Sequence, residues 1–441
     1  MAKSARLHPF PLATVPALPP VNSTQDDGIP DVAREPHVRA YRWAILFGVW
    51  LLYGCFGLTV TSLAPLVHRI TADLGISHAA MGSVLGAWPL VYIASAVPLG
   101  ALLDRTGPRL GLALAALIIA ASGAARAITW DHASLFLAVA VFGLGGPLVS
   151  IGAPKLVSLW FEGQERGLAM GIYITGPAIG GIAALALTNS VVMPVFDDDW
   201  RAVLACYAAI VLASGVVWVA LASHPAARAV EKALAAEPRQ SQFTVFRDLL
   251  ALPAVRIVLV MSVCIFFFNH GLNNWLPEIL RSGGLDAAAA GFWAAVPTVV
   301  GIAGSLLIPR LATPERRHAI MLALVLCAGA ATLLLHAAPG VALGLGLVLQ
   351  GIARSSLMTV AMLMLVETPG VGPRRAGAAG GLFFSAAEVG GVLGPLAVGS
   401  LYDLTDGFDV PLFALTGVVV LLVLLLGAQA AIARRARQAA E

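Results

Sequence analysis

The chain has 441 residues, 59% of them hydrophobic and only 12% charged, with a mean hydropathy of +0.87. A soluble domain carries roughly a quarter charged residues, so a surface this poor in charge is excluded from facing water. The net charge of +3, from 27 basic and 24 acidic residues, is too weak a bias for a nucleic-acid partner.

Residues 1–40 carry Pro9, Pro11, Pro16, Pro19, Pro20, Pro30 and Pro36 among polar residues, with no apolar core of a secretory signal. This composition predicts a disordered tail. Beyond it come apolar runs of about twenty residues, the length that crosses a hydrocarbon core of roughly 30 Å at 1.5 Å per helical residue. They place spans near 42–67, 79–103, 109–129, 132–158, 165–192 and 201–222, then 253–280, 287–310, 318–338, 341–366, 377–401 and 411–433. The expected fold is therefore all-α, with twelve transmembrane helices in two six-helix bundles at 41–222 and 253–433. Between them, 223–252 holds Arg228, Glu231, Lys232, Glu237, Arg239, Arg247 and Asp248 and reads as a cytoplasmic linker; 434–441 form a cytoplasmic C-terminal tail.

An even number of spans puts both termini on one side. With that side inside, every Lys and Arg lies in an inner loop or tail except Arg69, Arg126, Arg201 and Arg281, which fall outside, and Arg354, which falls within a span. The positive-inside tendency thus predicts a multi-pass inner-membrane protein with cytoplasmic termini. Asn22-Ser23-Thr24 matches a glycosylation pattern, but on the wrong side for that modification.

The halves resemble each other at an offset near 208 residues. Pro89 matches Pro297, Arg109 matches Arg317, Gly143 matches Gly351, and Leu74-Gly75-Ile76 echoes Gly284-Leu285-Asp286. Several coincidences at one offset indicate a duplicated six-helix unit.

The loop after span 2 reads Gly100-Ala101-Leu102-Leu103-Asp104-Arg105-Thr106-Gly107-Pro108-Arg109. It closely resembles the G-x-L-a-D-r-x-G-r-r signature of the major facilitator superfamily, and the resemblance covers about residues 41–433. The chemistry suits a gating latch. Asp104 can accept from a neighbouring helix N-terminus, Arg105 and Arg109 can pair with carboxylates or lipid phosphates, and Gly100 and Gly107 permit a tight turn. The second-half counterpart keeps Arg310, Arg316 and Arg317 but lacks the glycine and the aspartate, so weaker gating is expected there. Span 5 carries Gly176-Pro177-Ala178-Ile179-Gly180-Gly181, similar to an antiporter-associated element of the family, and span 11 has Gly390, Gly394 and Pro395. Close helix packing is the first reading of both. Trp160-Phe161-Glu162, Glu165-Arg166-Gly167-Leu168-Ala169-Met170-Gly171 and Phe142-Gly143-Leu144-Gly145-Gly146-Pro147 resemble the branch with cyanate and nitroimidazole-type permeases.

The family's plan implies a cavity between the bundles, lined by spans 1, 4, 7 and 10, with solute near the midplane. Candidate solute contacts are Asn269, His270, Asn273 and Asn274 in span 7, Tyr53 in span 1, Trp88 and Tyr92 in span 2, and Gln350 in span 10, with Tyr173 similarly placed in span 5. Polar side chains at such depth are costly unless they meet a cavity or one another, whereas any single aromatic there is ordinarily core. Arg354 in span 10 and Glu388 in span 11 lie at nearly equal depth. They form either a structural ion pair or an anion-recognising arginine with a proton-carrying partner.

Cys55, Cys206, Cys264 and Cys327 stand singly in apolar runs, and Asp197-Asp198-Asp199 reads as a solvated loop, so no metal or other cofactor is expected. The chain has no HExxH, GxSxG or GxxxxGK[ST] motif and only Lys3, Lys155 and Lys232 as lysines, which argues against an enzyme or an ATP-driven pump. The expectation is a monomeric secondary transporter of a small anion or organic acid, a symporter or antiporter with protons as coupling partner. The alternatives left open are a proton-coupled multidrug or metabolite exporter and a receptor-like protein that moves nothing.

Overall fold

A computed structural model describes residues 36–234, 243–368 and 370–438. Residues 1–35 of the predicted N-terminal tail and 439–441 of the C-terminal one lie outside the described residues, as does Asn22-Ser23-Thr24, whereas 434–438 continue the last helix, Asp409–Gln438.

Twelve helices are long and apolar enough to cross a membrane. Spans 1 to 6 are Ala40–Leu74, His78–Leu103, Arg105–Ala127, His132–Trp160, Gly163–Val195 and Trp200–Ala222. Spans 7 to 12 are Pro253–Ser282, Ala287–Leu311, Arg317–Leu334, Val341–Val366, Gly377–Thr405 and Asp409–Ile432. Spans 1–6 pack as one bundle and spans 7–12 as a second, and two short helices, Pro225–Leu234 and Phe243–Ala251, lie between them in sequence. The side bearing these short helices is called the linker side below, and the opposite one the far side.

The repeat is visible in how the helices begin. Gly75, at φ +60, ends one helix and Ser77 caps span 2 by accepting from the Ala80 N–H. Gly284, at φ +105, precedes Asp286, which caps span 8 by accepting from the Ala289 N–H. Both glycines occupy backbone conformations that a side chain disfavours, and both caps satisfy a donor the helix itself cannot.

Packing repeats as well. A Cβ on Gly176 would meet the Trp50 carbonyl at 2.8 Å, and one on Gly180 would fall on the Gly54 carbonyl, so the span-5 glycines seat span 5 directly on span 1. In the second half, Cβ atoms on Gly390 and Gly394 would fall on the Val263 and Phe267 carbonyls, seating span 11 on span 7 in the same way. Gly143 against the Trp88 carbonyl and Gly351 against the Pro297 carbonyl, each 2.5 Å from an added Cβ, join spans 2 and 4 and spans 8 and 10. Small residues replace side-chain contacts by backbone contacts where apolar burial in lipid brings little gain.

The bundles meet on the far side. Cβ atoms on Gly82 and Gly399 would fall on the Pro395 and His78 carbonyls, and one on Gly86 would meet the Val392 carbonyl at 2.8 Å, so spans 2 and 11 touch backbone to backbone. Spans 5 and 8 do the same through Gly291 and the Leu185 carbonyl, and Asn189 Nδ2 donates to the Ala287 carbonyl at 3.3 Å. Towards the linker side the same helices part. Cβ atoms on Gly167 and Gly171 in span 5 and on Gly377 and Gly381 in span 11 would meet nothing within 4 Å. The molecule is closed on the far side and splayed on the linker side.

Arg126, placed by sequence among the outer bases, is fully buried in the far end of span 3. Its Nη1 donates to the Thr59 carbonyl at 3.0 Å and to Ser62 Oγ at 3.2 Å, and its guanidinium lies 5.7 Å over the Phe142 ring. It thereby caps carbonyl groups left free where the first helix, Pro36–Thr61, ends.

Candidate functional site

Arg354 and Glu388 lie in the interior, but no ion pair joins them among the described residues. Arg354 Nη1 instead donates to Thr298 Oγ1 of span 8 at 2.6 Å. Glu388 is 5% exposed and its Oε2 is buried without a hydrogen-bond partner. A Cβ on Gly391 would meet Glu388 Oε2 at 2.5 Å and His270 Nδ1 at 3.1 Å, so carboxylate and imidazole sit side by side over that glycine. Arg354 is within electrostatic range of His270, and Glu388 of Tyr92. The two charges are thus neighbours of shared groups rather than a simple ion pair between spans 10 and 11.

Rings surround this cluster. Trp88 of span 2 meets His270 of span 7 with centroids 5.6 Å apart, a contact that crosses from one bundle to the other. Trp88 also packs edge-on against Tyr92, Phe56 and Phe142. Tyr53 stacks on Tyr173 with centroids 5.7 Å apart and planes at 16°. Phe266 stacks on His270 and meets Phe384 edge-on. The Tyr92 hydroxyl is 2.9 Å from Ser150 Oγ of span 4.

The amides behave differently from one another. Gln350 is fully buried and its Nε2 donates to Asn273 Oδ1 at 2.8 Å, a direct tie between spans 7 and 10. Asn274 Nδ2 donates to the His270 carbonyl of its own helix at 2.9 Å, so it is occupied within span 7. Asn269 Oδ1 and Gln350 Oε1 are buried with no partner. The structure therefore gathers Tyr53, Trp88, Tyr92, His270, Arg354 and Glu388 around the interior, joins Asn273 to Gln350, and leaves Asn274 to its helix. Sequence reasoning missed Thr298, Ser150, Phe266 and Phe384. Thr298 was recoverable, being a hydroxyl beside Pro297 at about the depth of Arg354 in its own span.

In the signature loop the side chain of Asp104 lies outside the described residues. Gly107 has φ +77 and forms the break between spans 2 and 3, and an added Cβ would meet Glu231 Oε1 at 2.5 Å. Arg109 Nε donates to Glu231 Oε2 at 2.9 Å, and the Arg109 carbonyl accepts from Trp218 Nε1 at 3.0 Å. The loop is thus clasped by the linker helix Pro225–Leu234. Arg105 is exposed, and Gly100 has only Ile151 within reach, at 3.5 Å from an added Cβ. In the other half, Arg317 is buried, ion-pairs with Glu367, and donates from Nη2 to the Ala312 carbonyl at 3.1 Å.

Comparison with known proteins agrees with this architecture. An uncharacterized transporter, YycB of Bacillus subtilis (strain 168), is 26% identical over 390 residues, covering 85% of this chain and 91% of that one. The hexuronate transporter of the same strain is 24% identical over 355 residues, covering 77% and 83%. The solved structure of the nucleoside transporter NupG (D323A mutant) superposes with a TM-score of 0.72 at 15% identity, covering 88% of this chain and 99% of that one, which speaks for the fold alone. The family model described as Major Facilitator Superfamily matches residues 49–395. With twelve spans in two packed bundles and a match over most of its length, the chain belongs to the major facilitator superfamily and is a membrane transporter, not an enzyme.

Proposed function

We propose that the chain moves a small organic-acid anion by alternating access, with Arg354 holding the anion and Glu388 carrying a coupling proton. The carrying observation is the state of Arg354. A guanidinium has five donors; this one lies in a membrane span, bonds to the neutral Thr298, and has no carboxylate within ion-pair distance among the described residues. A cation in that place is costly unless an anion or water meets it, and its fork suits a carboxylate. Relatives named for hexuronate and galacturonate transport support a carboxylate solute. The placement in the cyanate and nitroimidazole-type branch rests on the span 4 and span 5 motifs alone.

Glu388 fits the coupling role because its buried oxygen has no hydrogen-bond partner and it makes no ion pair among the described residues. A proton removes the cost of that charge, and release of the proton ties the carboxylate's state to solute movement. The basic residues cluster on the linker side, which supports reading that side as cytoplasmic and the protein as an inner-membrane one. The bundle arrangement is then open to the cytoplasm. A second reading, export of a drug-like molecule, is favoured by the quinolone resistance transporter of Acinetobacter baumannii, 25% identical over 381 residues.

Uptake and exchange in proteoliposomes test the proposal. Arg354→Ala should abolish uptake and Arg354→Lys should retain little of it, because the bidentate geometry is lost. Glu388→Gln should keep exchange but lose its response to a pH gradient. Near wild-type transport by the Arg354→Ala, Glu388→Ala double variant would remove both residues from binding and coupling. A protein that inserts and folds yet moves none of a broad set of organic acids would favour the receptor-like alternative.

A further inference from the structure

We infer that the solute carries an aromatic or flat apolar body beside its carboxylate, and is not a polyhydroxylated acid of the hexuronate kind. The inference deepens the anion reading and rests on Arg354 as the anion-binding group.

Depth comes first. The Trp88–His270 contact spans the gap between the bundles and roofs the interior on its far side. Tyr92 lies one helical turn from Trp88 towards the linker side, Phe266 one turn from His270, and Tyr53 one turn from Phe56, which itself touches Trp88. Arg354 lies one turn below Gln350, and Phe384 one turn below Glu388, on the same face of span 11. Beneath the roof, where the bundles splay apart, the two charged groups are therefore accompanied by Tyr53 stacked on Tyr173, by Tyr92, and by Phe266 against Phe384. Tyr53 and Tyr92 are partly exposed and Phe384 is 36% exposed.

Polar supply comes second. A sugar acid brings several hydroxyls, each needing a partner once water is lost. At this depth the first bundle offers the hydroxyls of Tyr53 and Tyr173, and its other polar groups are engaged. Tyr92 is engaged with Ser150, Trp50 Nε1 donates to Thr175 Oγ1, Thr175 donates to the Ile172 carbonyl, and Ser95 donates to the Gly143 carbonyl. In the second bundle Gln350 is tied to Asn273 and Asn274 to its own helix. The buried acceptors without a partner are Gln350 Oε1 and Asn269 Oδ1, level with or next to the roof, and Glu388 Oε2. Ring faces are abundant, and the free hydroxyls of the first bundle sit on the edges of those rings. Stacking and edge contacts reward a flat apolar body, and the fork of Arg354 rewards its carboxylate.

The test uses purified full-length protein and measures affinity by thermal shift and by competition, since only a ligand that prefers the folded state raises the melting point. The probes are benzoate, phenylacetate, D-galacturonate and the neutral benzamide. The aromatic acids are expected to bind at least about tenfold tighter than D-galacturonate, to lose binding in Arg354→Ala, and to weaken several-fold in Tyr53→Leu and Tyr173→Leu. The wild-type series decides the matter even if a variant proves unstable. Binding of D-galacturonate as tight as that of benzoate, and dependent on Arg354, overturns this inference while leaving the anion reading standing. Aromatic binding that survives Arg354→Ala, or is matched by benzamide, overturns the anion reading and this inference with it. Absence of binding by both aromatic acids also overturns the inference.

Discussion

Asp403, near the far end of span 11, takes the His78 N–H at 3.0 Å and the Ala79 N–H at 2.7 Å, both at the start of span 2. One bundle thus supplies the anion and the other the positive end of a helix, with Ser77 serving the next free donor at Ala80. Opening the far side must break both bonds. A carboxylate at a helix N-terminus contributes about 0.3–1 kcal/mol when exposed and up to ~2 kcal/mol when partly buried. With the side chain 29% exposed, a discount for solvent leaves about 1 kcal/mol. That changes the ratio of far-closed to far-open molecules by a factor of roughly 5. Asp403→Ala should produce the whole shift. Asp403→Asn should produce part of it, because the amide keeps one acceptor and loses the charge. Spin labels at Ala72 and Val410, in a background with the four native cysteines replaced, report the far-side separation by pulsed electron resonance. Both variants should enlarge the long-distance population, Asp403→Ala the more. Identical distance distributions in wild type and both variants would show that the backbone contacts of Gly82, Gly86 and Gly399 hold the far side alone.

The remaining predictions concern the linker side and the packing. Asp104→Asn should insert normally and lose most transport, whereas wild-type initial rates would rule out a latch at that carboxylate. Arg109→Glu should slow transport and the added Glu231→Arg should restore part of it, since the pair is direct; no recovery would mean that Glu231 merely covers Gly107. Gly180→Ala should lower the melting point by several degrees because its Cβ falls on the Gly54 carbonyl, whereas Gly171→Ala, with nothing within 4 Å, should be neutral. Asn273→Ala should cost stability more than affinity, because it leaves Gln350 Nε2 buried without an acceptor; a large change in half-saturating concentration with an unchanged melting point would restore Asn273 to solute contact.

Span positions were legible because each rests on a local quantity, the hydropathy of about twenty consecutive residues, which the bilayer reads without regard to tertiary structure. The repeat was legible for a related reason. Gly143 and Gly351, or Gly180 and Gly390, answer to a neighbouring carbonyl, and only glycine fits there. The interior chemistry was less so. Depth can be counted along a helix, which brought Arg354 and Glu388 to one level, but direction around the helix decides partners, and Arg354 turns to Thr298 of span 8. Asn273 and Asn274 are adjacent in sequence with the same side chain. One reaches across to Gln350 and the other folds back on the His270 carbonyl, a difference set by the two faces they occupy. Arg126 shows the limit of counting bases. Its place at the end of span 3 put it among the outer bases, whereas the Thr59 carbonyl and the Ser62 hydroxyl at the end of the first helix hold it in the interior.

Duplication and divergence together suggest how one site can serve both sides of a membrane. The glycine contacts between spans 1 and 5 recur between spans 7 and 11, so each of the two bundles is held together in the same manner, as the proposed alternating access requires of units that rock. The charges did not duplicate. At the offset of 208, Arg354 corresponds to Gly146 in the first half and Glu388 to Gly180. In the proposed cycle, electrostatic attraction would therefore stay with the second bundle, while the first presents rings whose contacts with a solute are short-ranged and non-directional. A solute anchored by its carboxylate to one bundle can slide against the other as the bundles rock, with no second charge to strip away. Had both halves kept a charge, rocking would have to break an ion pair in low dielectric at each turnover, a step costing several kcal/mol. On the reading proposed above, the asymmetry leaves proton arrival or departure at Glu388 to change the charge that an anion held by Arg354 meets.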